Sequence, residues 1–315
     1  MAADATPRHQ AVCLTAPTAW GKTELALQIA ARVPVEIISM DSAMVFRDMN
    51  IGTAKPSREQ LAAVPHHLID ICDPTQSYSA GRFVEDVTEL VESISERNRL
   101  PLIVGGTMMY LRALRSGLAP LPKASAQLRS DLDAQAQKIG WQAMHAQLAK
   151  IDAVSAARIA PTDRQRIQRA LEVWHASGEP LSALQAKHAG KAPFALRTVA
   201  LLPEDRAALR DTIEQRFDAM LGAGFVDEVQ MLLSRYAPQS DAPAMRCVGY
   251  RQIRAALEGH CSMAQARTAA ITATRQLAKR QLTWLRSDPG DYSLTGDPKS
   301  VQRRALELVA ESGPR

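Results

Sequence analysis

Short apolar runs, each about the length of one strand, recur along the chain between more polar segments. They are rich in valine, isoleucine and leucine, and they lie at residues 11–17, 35–40, 66–71, 100–106 and 196–203. Continuous apolar runs of this length are typical of strands that are buried on both faces of a sheet. Segments with helical periodicity, such as residues 22–33 and 81–99, separate the runs. The alternation predicts an α/β fold with a mostly parallel sheet and helices on both of its faces.

The strand pattern stops between about residues 122 and 192, where helical periodicity takes its place. We therefore predict an all-helical insertion domain at residues 122–192, within an α/β core made of residues 9–121 and 193–315. After one further strand, the chain from about residue 205 onward is again predicted to be helical. The polar tail that follows Gly290 is expected to be loosely held.

The composition is that of an ordinary globular protein, because 46% of the 315 residues are hydrophobic and 23% are charged. No apolar run reaches the roughly 18 residues that a membrane span needs, and the first residues lack the apolar core of a secretory signal. The four cysteines lie far apart and in no zinc-binding or disulfide pattern, at Cys13, Cys72, Cys247 and Cys261. We expect a cytoplasmic protein with isolated buried thiols.

Basic residues are concentrated at residues 246–286, in a chain whose net charge is +5. One acid, Glu258, lies among eight of them, which are Arg246, Arg251, Arg254, Arg267, Arg275, Lys279, Arg280 and Arg286. In this segment Arg275, Lys279 and Arg286 have spacings of four and seven and share one face of a helix. A solvated basic face is one interpretation. The scarcity of acids favours contact with a phosphate backbone instead.

The segment APTAWGKT, residues 16–23, nearly fits the phosphate-loop pattern G-x-x-x-x-G-K-[ST]. It follows a predicted strand and opens a predicted helix, so its backbone N–H groups would surround an anion at a helix N-terminus. Lys22 would add a charge, and Thr23 a hydroxyl for Mg²⁺ or a phosphate oxygen. Ala16 replaces the first glycine, which is acceptable where φ is not positive. The segment predicts a P-loop NTPase-like core.

The usual owner of such a loop is an ATPase or a kinase. The run VEIISM would then be a Walker-B-like strand that ends at Asp41, a ligand for Mg²⁺, with Asp70 and Asp73 as competing candidates. On these two motifs alone, a small-molecule kinase is a valid hypothesis.

Further motifs along the chain point elsewhere. In order, they are MDSAMVFRDMNIGTAKP, PHHLIDICDP, YSAGRF, IVGGTMMYLRAL, DRQRIQRALEV, RFDAMLGAGFVDEV, MRCVGYRQI and TRQLAKRQLTWLR. The ordered set spans nearly the whole chain and resembles the tRNA dimethylallyltransferase family. The resemblance is to the bacterial type, because the zinc-finger extension of some eukaryotic members is not found.

The resemblance implies transfer of a dimethylallyl group from dimethylallyl diphosphate to the exocyclic amine of the adenine 3′ of the anticodon in tRNA. Asp41 matches the family's general base, while Thr107 and Arg216 match groups that assist the leaving diphosphate. We also weigh a magnesium ligand or a helix cap as the role of Asp41. The implied cofactor is Mg²⁺, with Thr23 as its ligand. The implied diphosphate-binding residues are Ala16, Pro17, Thr18, Ala19, Trp20, Gly21, Lys22 and Thr23.

The implied partner is a tRNA anticodon stem-loop, bound by a monomer with no membrane contact. The positions that match the family's tRNA-contacting segments are Asp41, Ser42, Ala43, Met44, Thr107, Arg129, Gln165, Arg166, Ile167, Gln168, Arg169, Arg246, Cys247, Val248, Gly249, Tyr250, Arg251, Lys279, Arg280, Gln281, Trp284 and Arg286. Tyr250 and Trp284 either stack on bases or belong to the core. Trp20 either packs outside the loop or stacks on the RNA.

Two residues of the second motif depart from the family pattern. Met44 and Phe46 stand where many members have Gln and Tyr, and Met44 cannot hydrogen-bond to a base edge as Gln does. His66 and His67 lack a third ligand, which favours local hydrogen bonds over a metal site. Three alternatives remain at this point: a P-loop small-molecule kinase, an adenylate isopentenyltransferase, and a tRNA-binding protein without activity.

Overall fold

The computed structural model describes residues 9–122, 124–187, 192–238 and 242–313. Its six strands are β1 (Gln10–Thr15), β2 (Val35–Met40), β3 (His66–His67), β4 (Leu100–Gly105), β5 (Ala195–Pro203) and β6 (Tyr292–Gly296). They form one sheet in the order β3-β2-β4-β1-β5-β6, and every neighbouring pair runs parallel. The predicted parallel α/β sheet is confirmed.

Helices connect the strands. They are α1 (Lys22–Ala30), α2 (Arg58–Ala63), α3 (Ala80–Glu96), α4 (Met108–Ser116), α5 (Ala126–Ile151), α6 (Ala153–Arg158), α7 (Arg164–Ser177), α8 (Leu181–Lys187), α9 (Arg206–Gly222), α10 (Phe225–Tyr236), α11 (Tyr250–Leu257), α12 (Met263–Ser287) and α13 (Pro298–Ala310). Helix α5 is kinked at Gly140, whose backbone leaves the helical region.

Both faces of the sheet are covered, as the apolar runs predicted. Along β1, Cys13 faces one buried cluster and its neighbours Val12 and Leu14 face another, because successive side chains of a strand point to opposite faces. The first cluster includes residues of α3, α4, α9, α10, α11 and α12, and the second those of α1 and α13. The sheet is therefore the middle layer of three.

The tail after Gly290 is more ordered than we predicted. Residues Tyr292–Gly296 extend the sheet beside β5, and Asp297 caps the start of α13, because its side chain accepts the N–H of Ser300. Helix α13 buries its apolar stripe in the second cluster, with Val301 and Leu308 among its members. The polar composition concealed this packing, so the expectation of a loosely held tail is wrong for the described residues.

Two smaller predictions also change. The run at residues 66–71 forms a strand only at His66–His67, because Leu68 and Asp70 have positive φ angles of 62° and 57°, which interrupt an extended chain. The four cysteines are free thiols. Cys13 and Cys72 are buried as expected, whereas Cys247 and Cys261 keep some exposure.

The described residues divide into two compact units. The sheet unit contains the chain up to Arg115 and from Ala192 onward, and the helical unit is Ser116–Lys191. The helical unit has its own apolar core, in which α5 contributes Met144 and Leu148 and α7 contributes Ile167. None of the described helices is both long enough and apolar enough to span a membrane.

Candidate active site and RNA-facing surface

Three segments meet at the carboxyl edge of the sheet. The phosphate-loop segment follows β1, Asp41 follows β2, and Thr107 follows β4 after one residue; these strands are neighbours in the sheet. Their carboxyl ends meet at the edge where ligands bind in open α/β sheets. Gly105 is needed here, because a Cβ on it would lie only 2.0 Å from the carbonyl oxygen of Met40.

The phosphate loop has the backbone of an anion cradle. Gly21 caps α1 with a φ of 97° and Ala19 has a φ of 63°, whereas Ala16, which replaces the first glycine of the pattern, does not have a positive φ. The backbone N–H groups of residues 19–23 have no acceptor among the described residues. Donors at a helix N-terminus that lack partners attract an anion. The loop therefore fits a phosphate group.

Lys22 turns back onto the loop. Its Nζ donates to the carbonyl oxygens of Ala16 at 3.0 Å and Pro17 at 2.9 Å. Burial lowers the pKa of Lys22 to about 8; the Asp41 carboxylate opposes this shift and the Arg216 guanidinium adds to it. An anion in the loop would stabilise the charged ammonium and raise the pKa again.

Arg216 brings a second cation to the same place from α9. Burial lowers the pKa of its guanidinium, and the Asp41 carboxylate acts in the opposite direction. The Arg216 guanidinium has no ion pair or hydrogen bond with any described residue. A partly buried guanidinium without a protein partner suits an anionic ligand. Lys22 and Arg216 thus form a pair of cations beside one carboxylate.

Asp41 uses one of its two carboxylate oxygens in the turn that it begins. Oδ1 accepts the N–H of Ala43 and, at 3.3 Å, that of Met44, whereas Oδ2 has no partner among the described residues. The carboxylate therefore caps a turn and still has an oxygen available for a proton or a cation. The competing acids are engaged elsewhere: Asp70 pairs with Lys55 at 2.6 Å and Asp73 with Arg47 at 2.7 Å.

Thr107 joins two of the three loops. Its N–H donates to the carbonyl of Met40 at 3.3 Å, and its Oγ1 accepts the N–H of Ser42 at 3.1 Å. The hydroxyl is therefore held next to the residue that follows Asp41. Its own proton makes only a long hydrogen bond, to Ser42 Oγ at 3.5 Å. A ligand oxygen would be a better acceptor for this proton than the distant serine.

A pocket opens beside the start of α1 and the end of β2, and Thr107 and Arg216 are not among its lining residues. Its polar side contains Lys22, Thr23 and Asp41, and its apolar lining includes Ala26, Ile37, Met44, Ile69 and Val104. Such a lining suits a ligand with a charged head and a small hydrocarbon group. Phe46, the other residue that departs from the motif, is buried in the core and does not face this pocket.

Comparison with known proteins identifies the family. The sequence profile described as IPP transferase matches residues 44–288. A relative named tRNA dimethylallyltransferase, from Ralstonia nicotianae, is 56% identical over 287 residues, which cover 89% of each chain. This chain belongs to the IPP transferase family.

Solved structures agree with this assignment. The full-length tRNA isopentenylpyrophosphate transferase from Bacillus halodurans is 33% identical, with a TM-score of 0.70 and coverage of 96% of each chain. A eukaryotic dimethylallyltransferase, described as acting on tRNA, shares the fold with a TM-score of 0.81 at 24% identity, over 96% of this chain and 79% of the other. The P-loop NTPase-like fold that the phosphate-loop segment predicted is therefore confirmed.

The basic helix α12 is partly neutralised, in contrast to what the local sequence indicated. Arg267 pairs with Asp218 at 2.6 Å, and both Arg267 and Arg275 contact Glu214. These acids lie on α9, about 50 to 60 residues earlier, so counting acids within the segment missed them. Of the predicted face, Lys279 and Arg286 remain exposed without an ion pair among the described residues. The other exposed cations of this kind in the segment are Arg246, Arg251 and Arg280.

Four of the predicted RNA-contacting residues of this IPP transferase are buried, namely Ile167, Gly249, Tyr250 and Gln281. Tyr250 is fully buried, donates to Glu228 Oε1 at 2.6 Å and packs edge-on against Phe225, so the core interpretation replaces base stacking. Ile167 belongs to the core of the helical unit. The Gln281 side chain is also buried. Trp284 is only partly buried and packs against the first cluster.

Trp20 follows the packing alternative. Its ring is partly buried against the second apolar cluster, which contains residues of β1, α1 and α13. His66 and His67 make the local hydrogen bonds that we expected, to the carbonyl of Val64 and to Glu36. The described residues contain no group of three His, Cys, Asp or Glu side chains that could hold a metal ion.

Within the helical unit, one acid organises two predicted RNA-contacting arginines. Glu172 is only 6% exposed and lies 3.4 Å from Arg129 and 3.3 Å from Arg169. Gln165 and Arg166 are exposed on the same helix. Sequence reasoning missed Glu172, although the spacing of three residues between Arg169 and Glu172 was a usable signal.

Proposed function

We propose that this protein is a tRNA dimethylallyltransferase. It transfers the dimethylallyl group of dimethylallyl diphosphate to the exocyclic amine of the adenine 3′ of the anticodon, and it releases diphosphate. The observation that carries this proposal is the pair of cations, Lys22 and Arg216, beside the open carboxylate oxygen of Asp41. The name of the Ralstonia relative supports the same reaction.

The two cations suit the leaving group. As the carbon–oxygen bond breaks, its electron pair stays on the diphosphate, and negative charge grows on the bridging oxygen. Lys22, Arg216 and the N–H groups of residues 19–23 are placed to stabilise that charge. The Thr107 hydroxyl is available to donate to the same group. An already oriented set of donors costs no reorganisation during the reaction.

Asp41 suits the nucleophile. The exocyclic amine of adenine is a weak nucleophile because its lone pair is conjugated with the ring. As the amine nitrogen forms its bond to the prenyl carbon, one N–H proton passes to Asp41 Oδ2, the oxygen that the turn leaves open. The target base must leave its stack to reach this oxygen.

The residues present also fit Mg²⁺. Thr23 lines the pocket, and its hydroxyl makes no hydrogen bond to a described residue. One hydroxyl is a sparse ligand set, but Mg²⁺ commonly takes its other ligands from water and substrate phosphates. Bound to Thr23 and the diphosphate, Mg²⁺ would supply positive charge to the leaving group.

The exposed cations of the sheet unit favour an RNA acceptor over a free nucleotide. Five exposed cations can contact phosphates: Lys279, Arg280 and Arg286 on α12, and Arg246 and Arg251 earlier in the chain. An adenine mononucleotide has too few phosphates to pair with all of them, whereas an RNA backbone has enough. We also propose that the protein acts as a monomer. Because its acceptor is tRNA, we place the reaction in the cytoplasm.

One experiment separates the candidate functions. The protein is incubated with Mg²⁺, labelled dimethylallyl diphosphate and either an anticodon stem-loop, AMP or ATP. Label on the stem-loop alone supports the proposal. Label on AMP or ATP would instead identify an adenylate isopentenyltransferase, and binding of the stem-loop without any transfer would identify an inactive tRNA-binding protein. Transfer of phosphate from ATP would identify a kinase.

A further inference from the structure

The buried side of α12 is attached to the phosphate loop by a single amide. Gln281 is only 6% exposed. Its Oε1 accepts the N–H of Thr18 in the phosphate loop at 2.9 Å, and its Nε2 donates to the carbonyl of Gly106 at 2.7 Å. One side chain therefore connects three segments that are 88 to 263 residues apart in the sequence, since Thr18 and Gly106 lie 263 and 175 residues from Gln281.

The two ends of this connection have different exposures. Lys279 and Arg280, the neighbours of Gln281, are exposed cations of the proposed RNA-binding surface. Thr18 begins the part of the loop whose next five N–H groups are open to an anion, and Gly106 precedes Thr107. Helix α12 therefore lies between the RNA surface and the diphosphate cradle, and Gln281 is its polar contact with the cradle.

The chemistry of the contact requires an amide. Gln281 must accept from one backbone group and donate to another at the same time, which an ionised Glu cannot do and a Leu cannot do at all. Both backbone groups would be left without partners in a buried place if the amide were lost. The connection is therefore sensitive to a substitution that hardly changes the side-chain volume.

We propose that Gln281 is a positioning residue that fixes the phosphate loop and Thr107 relative to α12, and that it thereby couples RNA binding on α12 to diphosphate binding in the loop. This inference rests on the proposed function. Two ligands that each favour the same arrangement of the loop strengthen one another's binding by the same factor. The hydrogen bonds of Gln281 connect the conformation of the loop to the position of α12.

The test compares Gln281→Leu with Gln276→Leu, an equivalent change at an exposed position of the same helix. Affinity for pyrophosphate with Mg²⁺ is measured by calorimetry, and stem-loop affinity is measured with and without pyrophosphate.

We expect Gln281→Leu to weaken pyrophosphate binding about ten-fold or more, in line with the loss of buried hydrogen bonds. We also expect a lower kcat and no loss of stem-loop affinity in the absence of pyrophosphate. In the wild-type and Gln276→Leu proteins, pyrophosphate strengthens stem-loop binding, whereas in Gln281→Leu this effect disappears.

Gly106→Ala is a second variant, which keeps the Gln281 side chain but moves it out of position. Its Cβ would lie 2.7 Å from Gln281 Nε2, so it displaces the amide and should reproduce the loss of coupling even if Gln281→Leu does not fold. Partial retention of pyrophosphate affinity in Gln281→Glu, which keeps the acceptor for Thr18, would support the assigned geometry.

The outcomes separate this inference from the function on which it rests. If Gln281→Leu lowers only the melting temperature, with wild-type pyrophosphate affinity, kcat and coupling, Gln281 is merely structural and the inference is wrong. An absence of coupling in the wild-type protein would also overturn it. If the wild-type protein transfers no label to the stem-loop, the proposed function itself fails.

Discussion

Asp41 Oδ1 accepts the backbone N–H of Ala43 at 2.8 Å, so that the turn occupies one side of the carboxylate. The two oxygens of this residue therefore have separate tasks. One holds the turn that carries the second motif, and the other has no partner among the described residues, in a side chain that lines a pocket together with Lys22. Replacement of Asp41 by Asn keeps an oxygen that can hold the turn and removes the carboxylate that could accept a proton.

Asp41→Asn should slow transfer by about 10²–10⁴-fold, the range expected for a lost general base. The amide oxygen of Asn can still accept from Ala43, so the turn should persist. Single-turnover kinetics with labelled donor and stem-loop measure the rate, and equilibrium binding of both substrates is the control. Transfer that survives within a few-fold would show that Asp41 is not the base.

Lys22 makes diphosphate binding dependent on pH. With a pKa of about 8, the free protein has this ammonium about half protonated at pH 8, and a bound anion raises the pKa. Binding should therefore take up as much as about half a proton at pH 8, and affinity should fall as pH rises above this value. Calorimetry in two buffers of different ionisation enthalpy measures the uptake.

Lys22→Gln is the control for this titration. It should bind pyrophosphate more weakly, lose the part of the uptake that belongs to Lys22, and keep the part due to pyrophosphate itself. Its stem-loop affinity should hardly change. Equal proton uptake by the two proteins, or an equal loss of both ligands, would contradict the assigned role.

Joint replacement of Lys279 and Arg280 by Ala should weaken stem-loop binding and flatten its salt dependence by as much as about two counterions, because each phosphate contact contributes close to one. The measurement is the slope of log affinity against log salt concentration. Lys299→Ala with Arg303→Ala on α13 removes the same charge and should leave the slope unchanged. An unaltered slope in the α12 variant would mean that this helix does not contact the RNA backbone.

Trp20→Ser should lower the free energy of unfolding by about 1–3 kcal/mol, less than a fully buried Trp would lose, because the ring is only partly buried in the second cluster. Stem-loop and donor affinities should stay within about two-fold. Chemical denaturation and equilibrium binding measure the two effects. A roughly 5- to 150-fold loss of stem-loop affinity, which corresponds to stacking worth about 1–3 kcal/mol, would show that the indole stacks on RNA after all.

The fold was predictable where burial is continuous along the sequence. Strands such as β2 are buried at every position, and this burial makes an apolar run that can be recognised without tertiary information. Strand β6 is an edge strand with alternating exposure, and its partner β5 lies almost 100 residues away. Helix α13 did have a readable apolar stripe, including Val301 and Leu308, but its polar surroundings obscured it.

The site was predictable where a residue follows a strand. The phosphate loop, Asp41 and Thr107 follow three different strands. They could be placed at one edge of the sheet because the carboxyl ends of parallel strands lie together. The partners of individual side chains could not be predicted, since the acids that neutralise Arg267 and Arg275 lie on a different helix. The burial of Tyr250 likewise depends on Glu228, which no local pattern connects to it.

The supports of the phosphate loop come from the opposite end of the chain. Residues 16–23 are among the first to be synthesised, but β5 begins at residue 195, Gln281 holds Thr18, and α13 packs against α1 only once residues 298–310 exist. On the ribosome, β1 can pair with β4 once residue 105 has emerged, but its other edge has no partner until β5 emerges, and α1 and Thr18 lack their contacts with α13 and Gln281 until nearly all of the sheet unit is made. Contacts of such long sequence separation form slowly. The diphosphate cradle is consequently one of the first parts of this protein to be translated and one of the last to be completed.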